Sequence, residues 1–227
     1  MSIKSKVLAA AATLTLVGGL GVTGELAANA ATPSCGYNCI NIFSNEFGTH
    51  HSPNFVLDVQ GQSAKVGQPI ILYRTSNSDP AEDFTVSYQG TVADFYAAGL
   101  VSSSLDLHYS HLNAFEFQYS PDGVDTGLCV GVGSTVATNT PVTLQPCGSS
   151  AKTVWVVDSY NSIAGHYVPL INGSDTNFSH PYVLHYPGNG YPTDSPRPQL
   201  NTYELQQYSN GTVYNNEQWG ADYGILK

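Results

Sequence analysis

Histidine and serine are the residues that could carry out chemistry in this sequence, and their spacing argues against a catalytic site. The glycines around Ser134 do not form the G-x-S-x-G turn that a hydrolase nucleophile needs. His108 and His111 could bind a metal, but the run lacks the glutamate of H-E-x-x-H, and on a strand their spacing points the rings to opposite faces. His50-His51 is better explained as a solvated turn. We therefore expect no metal site, no cofactor and no enzymatic activity; the alternative is an extracellular hydrolase.

The cysteines indicate disulfides rather than a metal centre. The four residues are Cys35, Cys39, Cys129 and Cys147, which allow three pairings. We favour Cys35–Cys39 and Cys129–Cys147. A four-cysteine metal site is disfavoured because there is no CxxC knuckle and Cys129 and Cys147 are 18 residues apart.

The N-terminal segment has the features of an export signal. Two lysines precede an apolar run over residues 7–22, and Ala28-Asn29-Ala30 has the small-x-small pattern that signal peptidase accepts. A transmembrane anchor is less favoured, because glycines interrupt the run and it is shorter than the ~20 residues needed to span a bilayer. We predict a signal peptide over residues 1–30, a single domain over 31–227 and secretion to the extracellular space. The alanine-rich signal indicates a bacterial source.

The composition excludes several classes of partner. Of 227 residues, 11% are charged, and 7 Lys and Arg face 17 Asp and Glu, for a net charge of −10. Nucleic acids and anionic membranes both require a basic surface, so neither is expected as a partner. With 22 Gly, 13 Pro and 15 Tyr and few charges, the chain has the profile of a loop-rich β fold with a neutral polar surface.

One pattern recurs three times along the chain. Each copy is a short strand of alternating apolar residues, a polar turn, and a second strand led by a proline, which is typical of a β-hairpin. Downstream of the copies lie Phe84, Trp155 and Trp219. The copies span residues 57–73, 129–147 and 169–186.

These residues resemble the ricin-type β-trefoil lectin family, whose repeat reads roughly C-L-D-V, a turn, G-x-P-V-x-L-x-x-C and then Q-x-W. The copy at 129–147, with a cysteine at each end, is closest in form, whereas the Q-x-W end is degraded in all three copies. The resemblance covers about residues 40–222. It implies an all-β, β-trefoil-like fold of three degenerate repeats with two loop insertions. The alternative is three unrelated antiparallel hairpins, which would show the same sequence pattern.

The resemblance also implies carbohydrate binding. In that family a shallow pocket uses an aspartate from the first hairpin strand, an aromatic ring from the second, and a polar pair just before the final aromatic residue. The apolar C–H face of a sugar packs on the ring, and its hydroxyl groups bind carboxylates or amides. The second copy lacks both the acid and the ring. The candidate residues carried over are Asp58, Tyr73, Glu82 and Asp83 in the first copy, and Asn172, His185, Asn216 and Glu217 in the third. Each of them could instead cap a turn or pack in a strand.

Two insertions separate the copies, near residues 88–118 and 187–214. Within the first, residues 93–100 predict a short helical turn, and the alternation of aromatic residues over 115–119 predicts a strand. The second is rich in proline and tyrosine and is predicted to be a surface loop suited to recognition. We expect a secreted lectin-like protein that binds a glycan or polysaccharide. The alternative is a secreted protein-interaction module, an inhibitor or adaptor of an extracellular complex, that uses the second insertion.

Overall fold

The computed structural model describes residues 35–46, 55–76, 79–162, 167–188, 198–221 and 225–226. The predicted signal peptide and His50-His51 lie outside these ranges, as do residues 189–197 at the centre of the second insertion. Within the described ranges, no helix is long and apolar enough to cross a membrane.

Twelve short strands and two α-helices make up the regular structure of the described residues, with single 3₁₀ turns between many of them. The helices are α1 (Val92–Ala97) and α2 (Ser103–Tyr109). The strands are β1 (Ile42–Ser44), β2 (Phe55–Val59), β3 (Ile70–Arg74), β4 (Phe84–Thr91), β5 (Asn113–Tyr119), β6 (Leu128–Val132), β7 (Thr140–Pro146), β8 (Trp155–Val157), β9 (Leu170–Asn172), β10 (Tyr182–His185), β11 (Asn201–Glu204) and β12 (Trp219–Ala221).

The strands form three repeats of four: β1–β4 (repeat 1), β5–β8 (repeat 2) and β9–β12 (repeat 3). In each repeat the second and third strands form an antiparallel hairpin. The fourth strand pairs with the first strand of the next repeat, in the pairs β4–β5, β8–β9 and β12–β1. The first and fourth strands therefore close a barrel around the threefold axis, and the protein has the all-β trefoil fold that the resemblance implied.

An aromatic residue at the start of each fourth strand holds the repeat together. Phe84, Trp155 and Trp219 are completely buried in the main core. The indole N–H of Trp155 donates to the carbonyl oxygen of Val130 at 2.9 Å, and that of Trp219 donates to the carbonyl oxygen of Leu184 at 2.8 Å. Val130 on β6 and Leu184 on β10 are therefore equivalent positions.

The equivalence of Val130 and Leu184 corrects the sequence alignment of the third copy. The copy at 169–186 was aligned as a complete hairpin, but it contains the first strand of repeat 3 and the first strand of the hairpin, β9 and β10. The second hairpin strand is β11, which lies inside the segment 187–214 predicted to be a surface loop. The alignment failed because β10 also follows a proline, Pro181, and because a long insertion moves β11 away from it along the chain.

The first insertion is a helical hairpin that covers the outer face of the barrel. The helix predicted over 93–100 is confirmed as α1, which begins at Val92 because Thr91 and Asp94 form a capping box. Helix α2 was not predicted. Apolar residues of both helices pack in a second, smaller core against β5, β8, β9 and β10. The predicted strand over 115–119 is confirmed as part of β5, which is buried on both faces because the helices cover it.

The helical insertion also places His108 and His111 differently from the strand considered in the sequence analysis. His108 lies on α2 rather than on a strand; its Nδ1 is 2.9 Å from the Ser104 carbonyl oxygen, and its ring stacks on Phe178 with centroids 3.9 Å apart. His111 hydrogen-bonds through Nε2 to the hydroxyl of Tyr160. The two rings thus have separate partners, and each joins the insertion to the trefoil.

Both favoured disulfides are present. Cys129 and Cys147 join the ends of the β6–β7 hairpin, with Cα atoms 5.0 Å apart, and Cys35 and Cys39 close a short loop before β1. In the described residues no cysteine is free.

We expect that replacing Cys129 and Cys147 together by alanine lowers the free energy of unfolding by about 3 kcal/mol, because the unfolded chain then regains the freedom of an 18-residue loop. Urea denaturation followed by circular dichroism would measure the loss. The matched control is the double alanine variant of Cys35 and Cys39, whose loop of 4 residues should cost clearly less. Equal losses in the two variants would contradict the argument from loop length.

Candidate functional site

The register of the three hairpins defines which residues are equivalent. On the second strand of the three repeats the equivalent residues are Asp58, Gly131 and His185. They pair with Ile71, Thr143 and Asn201, respectively, on the third strand. Two residues further along the third strand stand Tyr73, Gln145 and Tyr203. Three residues before the aromatic residue of the fourth strand, the equivalent residues are Ala81, Lys152 and Asn216. Two residues before it, they are Glu82, Thr153 and Glu217.

Repeat 3 brings a histidine, two amides and an aromatic ring together. His185 Nδ1 lies 2.7 Å from Oδ1 of Asn201, and Nδ2 of Asn216 lies 3.0 Å from His185 Nε2. The ring of Tyr203 lies beside the imidazole, with centroids 5.0 Å apart and planes at 33°. His185 and Asn201 are nearly buried, whereas Tyr203 and Asn216 are partly exposed. The four side chains form a polar cluster with one ring on its side, and this cluster stands where the resemblance places the sugar pocket of repeat 3.

The hydrogen bonds assign the tautomer of His185. Oδ1 of Asn201 can only accept, so Nδ1 of the imidazole carries the proton, and Nε2 accepts from the Asn216 amide. Burial lowers the pKa of His185 below 6.5, while the bond to Asn201 opposes that shift. Asn201 is held in turn, since its Nδ2 donates to Oδ1 of Asn139 at 3.0 Å. The pocket is therefore uncharged at neutral pH and fixed in one arrangement.

Repeat 1 keeps the acid and the ring but lacks the amides. Asp58 is 2% exposed and Tyr73 is half-buried, yet Ile71 and Ala81 stand where Asn201 and Asn216 stand in repeat 3. The chain segment at 198–199 also runs along β3: the Leu72 N–H donates to the Pro198 carbonyl oxygen at 3.2 Å. This position offers a sugar fewer uncharged hydrogen-bonding groups than repeat 3 does.

A cluster of carboxyl groups lies behind the repeat 1 position. Carboxyl oxygens of Asp58, Asp79 and Glu82 lie within 4.8 Å of one another, close enough to share a cation. Glu82 is already bonded to the protein, and Oδ1 of Asp79 accepts from Gln62 Nε2 and from the Ala81 N–H. Burial raises the pKa of Glu82 to about 8, and the charges of Asp79 and Asp58 add to the shift. Both carboxyl oxygens of Glu82 and Oδ1 of Asp79 thus serve the fold.

Glu82 and Glu217 hold the protein chain from inside. Glu217 is completely buried; its Oε2 accepts from the Gln206 N–H at 2.8 Å, just after β11. Glu82 accepts equivalently from the Ser76 N–H at 3.0 Å, just after β3, and from the Thr75 hydroxyl at 2.8 Å. Both were candidate ligand-binding residues, and the structure places both carboxyl groups in backbone contacts rather than in the pocket.

In repeat 2 the equivalent contact is made by a carboxylate from a different strand. Thr153 takes the place of the glutamate, and Glu116 from β5 accepts from the Gly148 N–H at 2.9 Å and from the Thr153 hydroxyl. The pocket position is closed: a Cβ on Gly131 would lie 2.7 Å from the Lys152 carbonyl oxygen, so no side chain fits there. Repeat 2, which lacks the acid and the ring, therefore has no room for a side chain at the position of Asp58 and His185.

The remaining two candidates lie away from the pockets. Asp83 is completely buried and accepts from the Asp122 N–H at 3.0 Å. Asn172 lies on β9; its amide donates to the Lys152 carbonyl oxygen at 3.1 Å and its Oδ1 accepts from the Ser174 N–H at 3.1 Å. The structure therefore does not bring Asn172 together with His185 and Asn216, because β9 is the first strand of its repeat and not part of the hairpin.

Sequence reasoning did not place Asn201 and Tyr203 among the residues of the sugar site. The alternation of Asn201, Thr202 and Tyr203 matches Ile71, Leu72 and Tyr73 position by position, and this signal could have located β11. The long connection from β10 concealed it. His185 was chosen as a ring equivalent to Tyr73, whereas the register makes it the equivalent of Asp58.

Comparison with known proteins supports the fold. No protein-family model and no curated protein matches the chain. Among solved structures, a designed threefold-symmetric protein, ThreeFoil, is 14% identical with a TM-score of 0.51, covering 81% of this chain and 97% of that one. A mosquitocidal holotoxin is 11% identical with a TM-score of 0.50, covering 81% of this chain and 17% of the toxin. The Macrolepiota procera ricin B-like lectin in complex with lactose is 14% identical, with a TM-score of 0.49 and coverage of 86% and 98%. At these identities the likeness concerns the fold alone.

Proposed function

We propose that the protein binds a neutral carbohydrate in the pocket of repeat 3. The observation that carries the proposal is the convergence of His185, Asn201 and Asn216 beside the ring of Tyr203, at the hairpin position where repeat 1 has Asp58 and Tyr73. The resemblance implies an aspartate and a ring on the two hairpin strands and a polar pair before the final aromatic residue. Tyr203 and Asn216 stand at the positions of the ring and the pair, whereas His185 takes the place of the aspartate.

The chemistry of the pocket suits hydroxyl groups and a C–H face. Amide groups both donate and accept, as sugar hydroxyls do, and the partly exposed ring of Tyr203 offers an apolar surface. None of the four side chains is charged at neutral pH, because the pKa of His185 lies below 6.5. An uncharged, hydrogen-bonding ligand is therefore favoured over an anion or a cation.

The same contacts favour binding over catalysis. A histidine that acts as a general base needs one ring nitrogen directed at the substrate and the other oriented by a partner. Both nitrogens of His185 are occupied by amide groups of Asn201 and Asn216. We infer that the pocket orients a ligand and does not transfer its protons.

The proposal includes an extracellular location. The N-terminal segment has the charge, length and small-x-small site of a signal peptide. Two disulfides join all four cysteines, and disulfides persist in oxidising compartments. An extracellular lectin-like protein would meet glycans and polysaccharides as partners.

The test is a glycan array probed with the purified chain, followed by titration of the sugars that bind. We expect Tyr203→Ala to weaken binding at least about 10-fold, which corresponds to about 1.4 kcal/mol, because the apolar surface under the sugar is lost. Tyr203→Phe keeps the ring and should retain most of the affinity. Circular dichroism would confirm that both variants fold.

The matched control is Tyr73→Ala, which removes the equivalent ring of repeat 1 and should leave the affinity unchanged. If Tyr73→Ala abolished binding and Tyr203→Ala did not, the site would lie in repeat 1. An array on which the wild-type chain binds no glycan would refute the proposal.

A further inference from the structure

A second polar pocket lies outside the three hairpins. It has a volume of about 360 Å³ and is lined by residues 160–162, in the turn that follows β8, and by residues 210–213, in the loop between β11 and β12. The volume is within the range of small-molecule sites in proteins, about 300–1,000 Å³. The lining residues include no charged side chain, and none of them belongs to the repeat 3 pocket.

The first wall of this pocket is fixed by hydrogen bonds from beneath. Asp158 accepts from the Tyr160 N–H at 3.2 Å and from the Asn161 amide at 2.6 Å. The buried Gln218 donates through Nε2 to the Asn161 carbonyl oxygen at 3.1 Å. Oδ1 of Asn161 accepts from Gln207 Nε2 at 3.1 Å, so Asn161 also joins this wall to the opposite loop.

The second wall is a tight turn with its own hydrogen bonds. The Tyr208 N–H donates to the Thr212 carbonyl oxygen at 2.8 Å, and the Gly211 N–H donates to the Tyr208 carbonyl oxygen at 2.9 Å. Oδ1 of Asn210 accepts from the Thr212 N–H at 3.0 Å. Gly211 has a φ of +83°, which a residue with a side chain rarely adopts. The turn therefore holds its shape without a ligand.

An exposed aromatic ring stands at the edge of the pocket. Tyr160 is 73% exposed, yet its hydroxyl is bonded to His111 of the helical insertion. On the opposite loop, Tyr208 is 49% exposed and packs against Tyr214, with ring centroids 4.3 Å apart. An exposed ring that is held in place can bind a ligand with little further loss of side-chain entropy.

We propose that this pocket is a second binding site for a neutral glycan. Amide and hydroxyl groups from Asn161, Ser162 and Thr212 would bind sugar hydroxyls, and the ring of Tyr160 would pack on a C–H face. The ligand class rests on the proposed function, whereas the site itself rests on this pocket alone. With two sites on one chain, the protein binds a polymer of sugar units more tightly than a single unit, because the second contact is made at a high effective concentration.

The test is a titration of the isotope-labelled chain followed by the NMR signals of backbone amides, with lactose, maltohexaose and chitohexaose as probes. We expect one probe or more to shift the amides of Gly211 and Thr212 as well as that of Tyr203. Tyr160→Ala should abolish the shifts at Gly211 and Thr212 and leave the shift at Tyr203. Binding of this variant to the matching immobilised polysaccharide should be weaker by at least about 10-fold.

Two variants serve as controls. Tyr160→Phe keeps the ring but loses the hydroxyl bond to His111 that holds it in place, so it should retain the shifts with a weaker affinity than the wild type. Tyr96→Ala removes a tyrosine that is 45% exposed on α1, away from both pockets in the chain, and should change nothing.

The outcomes separate the two sites. Shifts at Tyr203 without shifts at Gly211 and Thr212 would refute the second site and leave the proposed function standing. Shifts at Gly211 and Thr212 alone would support the second site and refute the pocket of repeat 3. A titration in which none of the probes moves either set would count against both.

Discussion

Replacing Trp219 by alanine is expected to lower the free energy of unfolding by about 3–5 kcal/mol, the usual range for a buried tryptophan. The side chain is completely buried, and its backbone pairs with Ser44 of repeat 1 and with Val168 next to β9. The variant would therefore leave a large cavity at the seam where β12 pairs with β1 and closes the barrel. Guanidinium denaturation followed by circular dichroism would measure the loss.

Trp219→Phe separates packing from hydrogen bonding. Phenylalanine fills most of the space but leaves the Leu184 carbonyl oxygen without the indole N–H, so we expect a smaller loss of about 1–3 kcal/mol. Trp155→Phe is the matched control, since Trp155 makes the equivalent bond to Val130, and it should cost about the same. A Trp219→Ala variant as stable as the wild type would contradict the role of Trp219 in closing the barrel.

Raising the pH from 5 to 8 is expected to destabilise the protein through Glu82 and Glu217. Burial raises the pKa of each carboxyl group from 4.5 to about 8 in the folded state. At pH 5 the unfolded chain has already released most of these protons, whereas the folded chain keeps them until the pH approaches 8. The stabilisation is therefore complete below about pH 4.5 and is lost progressively as the pH rises to about 8.

The size of this effect follows from the pKa shifts. One pKa unit corresponds to about 1.4 kcal/mol, and water that enters around an ionised carboxylate relieves part of the cost. The two groups together therefore contribute on the order of a few kcal/mol. His185 acts in the opposite direction, because its pKa is lowered by burial and its contribution is lost as the pH falls below 6.5.

The double variant Glu82→Gln and Glu217→Gln isolates the effect of the two carboxyl groups. Glutamine keeps an oxygen that accepts from Ser76 and Gln206 but has no proton to lose. Its stability should therefore match the wild type near pH 5 and exceed it near pH 8, as measured by urea denaturation at both pH values. Each single variant should remove about half of the difference. A wild-type protein that becomes more stable from pH 5 to pH 8 would contradict the assignment.

Local sequence patterns were sufficient to predict the hairpins of repeats 1 and 2. The alternation of apolar residues and the aromatic residues at 84, 155 and 219 indicate burial directly. The favoured cysteine pairing, one of three that the sequence allows, is confirmed. Repeat 3 could not be read in the same way. Its hairpin strands β10 and β11 are separated by a long connection, and only strand pairing reveals that they are neighbours.

The site shows the same limit at the level of single side chains. His185 and Asn216, which the sequence grouped together, are in hydrogen-bond contact, but their partners Asn201 and Tyr203 depend on the register of β11. Glu82 and Glu217 have the residue type of a ligand-binding group, and only the structure reveals that their carboxyl groups face inward to backbone N–H groups. The type of a residue indicates its chemistry, whereas the direction of its side chain depends on the packing around it.

The contact between Glu116 and Thr153 limits which substitutions repeat 2 can accept. Because a carboxylate from β5 fills the place that Glu82 and Glu217 fill in the other repeats, Thr153→Glu alone would put two acids into one buried space. Giving repeat 2 the form of repeats 1 and 3 thus requires coupled substitutions at 116 and 153. A threefold-symmetric version of this chain must therefore redesign both positions at once.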